Sequence, residues 1–241
     1  MKFKTGAATL LATGLLFLTG CQTRSISDSG YDSGRYGSAR FGYTGELSEF
    51  QVLGITAETT VSEAEIQTAL QTRGGARLTR ASKVLVIQSG ADFPDAPMLE
   101  ALNAQFTVAP FSGRPPREEK ANASYAKSIR LAAARGGYDK IFCYWGILES
   151  EKISQATKTV SWVPIVGFAI PDERQNMRLR LKAAVVDVAS GQWSLVSPPP
   201  VSSSEFSSIV TRRNKDQSLV ATLKLTGYQN LVRSLAEHQV D

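Results

Sequence analysis

Met177-Arg-Leu-Arg-Leu-Lys-Ala-Ala-Val-Val-Asp-Val188, then Ala189-Ser-Gly191, then Gln192-Trp-Ser-Leu-Val196 is the stretch that decides the fold of this chain. Its first half alternates. Met177, Leu179 and Leu181 fall on one side, and Arg178, Arg180 and Lys182 on the other, which is the period of a strand with one covered face. Ala189-Ser190-Gly191 reads as a turn, and Gln192 to Val196 as the antiparallel return. Pro198 to Pro200 end regular pairing or confine it to an edge.

Working outward, earlier segments alternate between strand and helix. Lys83 to Gln88 is a short apolar run with β-branched residues, closed by Ser89-Gly90, and reads as a buried strand. Met98, Leu99, Leu102 and Phe106 suggest a short helix, with a strand from Phe106 to Phe111 after it. Arg117 to Arg135 reads as a helix with acids in its first turn and Gly136-Gly137 as its stop. Asp139 to Glu149 is an aromatic-rich strand. Phe50 to Ile55 reads as a first strand, and Thr60 to Gln71 as a helix capped by Thr60 with Glu63. Ser218 to Ala236 closes the chain as an amphipathic helix. The expected fold is α/β, with a mixed sheet: early strand–helix alternation, an antiparallel meander and a C-terminal amphipathic helix.

The other informative stretch lies at the start. Lys2 and Lys4 precede an apolar run from Ala7 to Leu18, too short to span a bilayer, and Leu18-Thr19-Gly20-Cys21 follows. This ending resembles the bacterial lipoprotein box. The resemblance implies removal of residues 1–20 and acylation of Cys21, hence palmitate-type lipid on a membrane-held envelope protein. Gln22 stands where Asp would imply inner-membrane retention. The implied location is therefore the outer membrane, facing the periplasm. Residues 21–45 are rich in Ser, Gly and charge and read as a flexible tether, which leaves 46–241 as the folded periplasmic domain.

A wider resemblance rests on the strand Val84 to Ile87, the helix that ends in Gly136-Gly-Tyr-Asp139 ahead of a strand, and the hairpin Val185-Val-Asp-Val-Ala-Ser-Gly-Gln-Trp193. Together these resemble the lipoproteins with a TolB amino-terminal-like domain. That group includes the curli secretion channel lipoprotein and the activator of a penicillin-binding protein. Asp187, Gly191 and Trp193 match its hairpin motif, while Ser190 replaces Thr and the Trp comes early. The likeness implies a binding or assembly role with an envelope protein partner, and as an alternative an oligomeric secretion or pore component, a homo-oligomer.

Composition excludes several classes. Once Lys2 and Lys4 leave, 25 basic residues face 22 acidic ones, too mild an excess for nucleic acid. His238 is the only histidine, so a Ser-His-Asp triad or a histidine zinc site is not expected, nor any cofactor or metal. The reading is non-enzymatic. Cys143 sits mid-strand and is expected to be buried. Asp92 and Asp95 are the one carboxylate pair after a strand, and their spacing suits a polar turn. The stretch from Trp162 to Ile170 lacks polar alternation, so Trp162, Val163, Ile165, Val166, Phe168 and Ile170 are the expected contact surface for a partner or a membrane.

Overall fold

The computed structural model describes residues 22–29, 43–55, 61–71, 74–115, 125–154, 173–207 and 212–237. In chain order the elements are β1 (Gln22–Ser25), a short 3-10 turn (Ile26–Asp28), α1 (Glu49–Leu53), α2 (Glu63–Gln71), β2 (Lys83–Gln88), α3 (Ala96–Asn103), β3 (Thr107–Phe111), α4 (Tyr125–Arg135), β4 (Lys140–Ser154), β5 (Glu173–Asp187), β6 (Trp193–Val196), β7 (Val201–Ser207) and α5 (Arg212–Glu237). The mixed α/β fold read from the sequence is the one observed.

The sheet has two tiers. Its base runs β3-β2-β4-β5-β6, with β2 parallel to β3 and β4, and β4, β5 and β6 antiparallel. Both β4 and β5 are 15 residues long and continue past the base. There β1 pairs with β4 from Gln22↔Ser150 to Ser25↔Ile147, and β7 pairs with β5 from Glu173↔Ser207 to Leu179↔Val201. The chain passes from β2 outward to β3, then back across β2 to β4. Right-handed crossovers in opposite directions place α3 and α4 on opposite faces.

Each face therefore has its own core. Alternation along β4 and β5 aims Phe142, Tyr144, Leu148, Met177, Leu179, Leu181, Ala183 and Val185 at α3 and α5. It aims Ile141, Cys143, Trp145, Ala184 and Val186 at α1 and α4. Helix α5 lies close over β5 at Gly227, where a Cβ would lie 2.8 Å from Leu179 Cδ2 and 3.0 Å from Leu181 Cδ1.

Three local expectations need correction. Phe50 to Ile55 is not a strand. Ser48 and Gln51 form a capping box, α1 follows, and Gly54 ends it at φ 72°. The cap of α2 is Ser62, bonded reciprocally to Glu65, two residues further along than Thr60 and Glu63; Thr60 itself lies outside the described residues. The tether expected over 21–45 also differs. Gln22–Ser25 finds backbone partners along β4, and Ile26 is buried at 1% exposure, so 22–29 belong to the folded body. Gly146 makes room for this, because a Cβ there would lie 2.7 Å from Ile26 Cγ2.

Candidate functional site: a filled crevice and an open groove

In an open α/β sheet, ligands bind beyond the carboxyl ends of parallel strands where the strand order reverses. Here that place lies between β2 and β4, since the connection from β2 runs toward β3 and the one from β4 toward β5. The chain's own residues 26–29 occupy it. Gln88 Nε2 donates to Ser27 Oγ at 3.0 Å, and Ser27 Oγ donates to the Ser89 carbonyl at 2.6 Å. Gln88 Oε1 accepts from Tyr144 Oη at 2.6 Å and from the Asp95 N–H at 2.8 Å. Lys224 of α5 reaches the Ile26 carbonyl at 3.2 Å and Asp95 Oδ2 at 2.9 Å, and Tyr228 Oη donates to the same Asp95 oxygen. Gln88, Ser89 and Lys224 are all buried. Burial, helped by the nearby Asp95 carboxylate, pushes the Tyr144 hydroxyl well above its ordinary pKa and keeps it a neutral donor. Every polar group in this crevice named here has a partner supplied by the protein, which is how a buried polar network becomes stabilising.

The opposite face carries an open groove of about 680 Å³. Its floor is Trp145 and Ile147 of β4 with Trp193 and Leu195 of β6; α1 supplies a wall through Glu49, Phe50 and Leu53; Arg180 and Lys182 of β5 lie at one side. Helix α1 is held in place through the backbone of Leu47. Its N–H donates to Ser89 Oγ at 2.8 Å, and its carbonyl accepts from Trp145 Nε1 at 2.7 Å. Lys182 lies 5.7 Å from the Trp145 ring centroid and pairs with Glu49. Arg178 and Arg180 both pair with Glu149. The groove leaves Phe50 60%, Ile147 43%, Leu195 40% and Trp193 39% exposed, a clustering of large apolar groups that marks contact sites on soluble domains.

Glu46 joins the two regions. It lines the groove and accepts from Ser25 Oγ next to the crevice. Burial raises its carboxyl above the usual range, against the Ser25 hydrogen bond and the Lys182 charge.

The family model for YafT bacterial lipoproteins matches residues 48–238. The chain belongs to the YafT bacterial lipoprotein family. Cys21 precedes the matched region. No curated protein matches. Among solved structures, the chain is similar to the PelC dodecamer from Paraburkholderia phytofirmans at 14% identity, with 66% of this chain and 94% of that chain covered and a TM-score of 0.30. It is also similar to lipoprotein GNA1162 from Neisseria meningitidis at 15% identity, with 60% and 99% covered and a TM-score of 0.24.

In this YafT-family lipoprotein, only part of the site expected from the sequence falls among the described residues. Cys21 lies outside the described residues, as do Trp162, Val163, Ile165, Val166, Phe168 and Ile170. Asp92 and Asp95 take different partners: Asp92 is bound to Arg114, and Asp95 to Lys224 and Tyr228. Cys143 is fully buried, and burial drives its thiol well above the ordinary value. The hairpin motif proves to be turn chemistry. Asp187 Oδ1 accepts from the Ser190 N–H at 2.7 Å and from Ser190 Oγ at 2.8 Å, and Gly191 has φ 75°. A Cβ at Gly191 would lie 2.4 Å from Arg130 Nη1, while Arg130 donates to the Val188 and Ala189 carbonyls. Burial pushes Asp187 up, but Ser190 and Lys140 outweigh it and hold its pKa at about 2. Among the described residues there is no metal-holding cluster, and no helix is long and apolar enough to cross a membrane. The sequence reading missed the groove. Its one linear signal was β6, where Trp193 and Leu195 share a side with no polar residue between them on that side.

Proposed function

We propose that this chain is a lipid-anchored, non-enzymatic lipoprotein of the outer membrane, facing the periplasm, that binds a protein partner in envelope assembly or regulation. The observation that carries this reading is the register of β1. Gln22 lies opposite Ser150, so a lipid on Cys21 enters at the far end of the β4–β5 hairpin. The last described pair of that hairpin, Ser154↔Glu173, is four residues further along β4, roughly 13 Å at about 3.3 Å per residue. The apolar connection that carries Trp162, Val163, Ile165, Val166, Phe168 and Ile170 leaves from that same pair. Gln22 and the Ser154↔Glu173 pair thus lie toward one end of the domain, which supports a reading in which that end faces the bilayer and the groove beside α1 is left to a protein.

Two or three acyl chains hold such a domain firmly, at about 0.8 kcal/mol per buried methylene. The resemblance to TolB amino-terminal-like lipoproteins supports the partner-binding part of this reading. The pore alternative needs strands with a lipid-facing apolar side. On β5 the apolar side, Met177, Leu179 and Leu181, is buried in the domain's own core, and the other side carries Arg178, Arg180 and Lys182.

The test uses the full-length acylated protein in vesicles with brominated lipids. With Trp145→Phe and Trp193→Phe, Trp162 is the remaining indole. Quenching of its fluorescence supports the orientation. An unquenched Trp162 on membrane-bound protein contradicts it.

A further inference from the structure

Helix α2 has no buried residue. Val61 just ahead of it is 66% exposed, and within it Ile66 is 44% and Leu70 46% exposed. A helix of nine residues is marginal in water and takes its stability from packing an apolar face. Of the twelve exposed large apolar side chains among the described residues, these three and five of the groove (Phe50, Ile55, Ile147, Trp193 and Leu195) make up eight. The chain therefore carries an uncovered apolar helix face and an uncovered apolar groove, each on its own molecule without the other.

We propose that the groove is occupied by α2 of a second copy of this chain. This rests on the reading of the groove as a protein-docking surface and names the partner. Glu63, Ile66 and Leu70 are spaced three and four apart and share one face of α2. That stripe is about 10 Å long at 1.5 Å per residue. In the groove, Arg180 and the Leu195 position, which is in register with Ala184, are four residues apart on β5, about 13 Å. The charges complement each other as well. The described part of α2 carries Glu63 and Glu65 and no basic residue. Arg178 and Arg180 share the single carboxylate of Glu149, which leaves a positive excess at that end of the groove, while Lys182 at the other end faces both Glu49 and Glu46. Glu63 meets Arg180, and Ile66 and Leu70 lie over Ile147, Phe50 and Leu195. Helix and groove are different surfaces of one molecule, so the contact is head-to-tail and propagates to a closed ring or a chain.

The test co-expresses two full-length versions with different tags, one with Ile66→Cys and the other with Leu195→Cys. Cys143 is buried and adds no background. The inference expects an interchain disulfide at least tenfold above a control pair of Leu131→Cys with Leu195→Cys. Leu70→Asp added to the Ile66→Cys chain reduces that disulfide at least tenfold at unchanged melting temperature. Yields equal to the control overturn the inference. So does a disulfide formed only within a chain carrying both cysteines, which means α2 covers its own groove. If no interchain disulfide forms while Phe50→Asp with Leu195→Asp still abolishes function in cells at normal abundance, the groove serves another protein. The docking reading then stands and the second copy is excluded.

Discussion

The crevice between β2 and β4 and the groove beside α1 lie on the same sheet and have opposite fates. The crevice is where α/β proteins usually receive a ligand, and here the chain fills it with Ile26 and Ser27 and satisfies its polar groups through Gln88, Tyr144, Asp95 and Lys224. The groove is walled by apolar groups that the described residues leave half uncovered. The first is paired inward and serves to fix the N-terminal segment. The second faces outward and is free to bind. Filling of the customary site and opening of another is the physical content of the proposed binding role.

Four variants test this contrast. Lys224→Met should have the largest effect. It leaves the partly buried Asp95 and the Ile26 carbonyl without their cation, and breaking one side of such a pair costs about 3 kcal/mol. Chemical denaturation should show that loss with an unchanged slope. Ile26→Ala comes next. It empties the space over Gly146 and should cost about 2–3 kcal/mol, as large-to-small core changes do. A loss below ~0.5 kcal/mol in the same measurement would mean that the segment is not part of the core.

Glu46→Gln should produce a small gain. The folded-state pKa of Glu46 is raised, so its ionised form is disfavoured in the fold at neutral pH. The wild type should gain stability as pH falls through that raised value toward the ordinary carboxylate range. The variant should melt higher near pH 7, and the difference should vanish in acid; a lower melting temperature at pH 7 would contradict the assignment. Smallest of all is Phe50→Ser with Leu195→Ser. Both side chains are 40% exposed or more, so stability should stay within about 0.5 kcal/mol of wild type. Unfolding of this variant would make the groove part of the core.

The two regions also differ in how far the sequence revealed them. Strand β5 was legible because Met177, Leu179 and Leu181 alternate with Arg178, Arg180 and Lys182, and its two faces do meet a core and charged partners. Strands β2 and β4 were legible as apolar runs. Strand β1 was not, because Gln22–Ser25 carries no apolar period and joins the sheet through backbone groups; Ser-rich β7 hides for the same reason. Helix α1 was misread because Phe50, Val52 and Leu53 look strand-like when the Ser48–Gln51 cap is overlooked. Neither candidate region is contiguous. The crevice combines residues 26–29, 88–95, 144 and 224–228, and the groove combines 46–55, 145–147, 180–182 and 193–197. Only the fold brings these together, so no spacing rule along the chain announces either.

The central claim is that residues 22–29 belong to the folded body, with Gln22–Ser25 as a strand of its sheet, so that the proposed anchor at Cys21 meets the domain without a spacer. Hydrogen–deuterium exchange on the full-length acylated protein in membranes tests it most directly. The account predicts that amides of the Gln22–Asp28 segment exchange as slowly as those of β4 at Ile147–Ser150, with which β1 pairs. Exchange of that segment at the rate of an unstructured peptide, with β4 still protected, would contradict it.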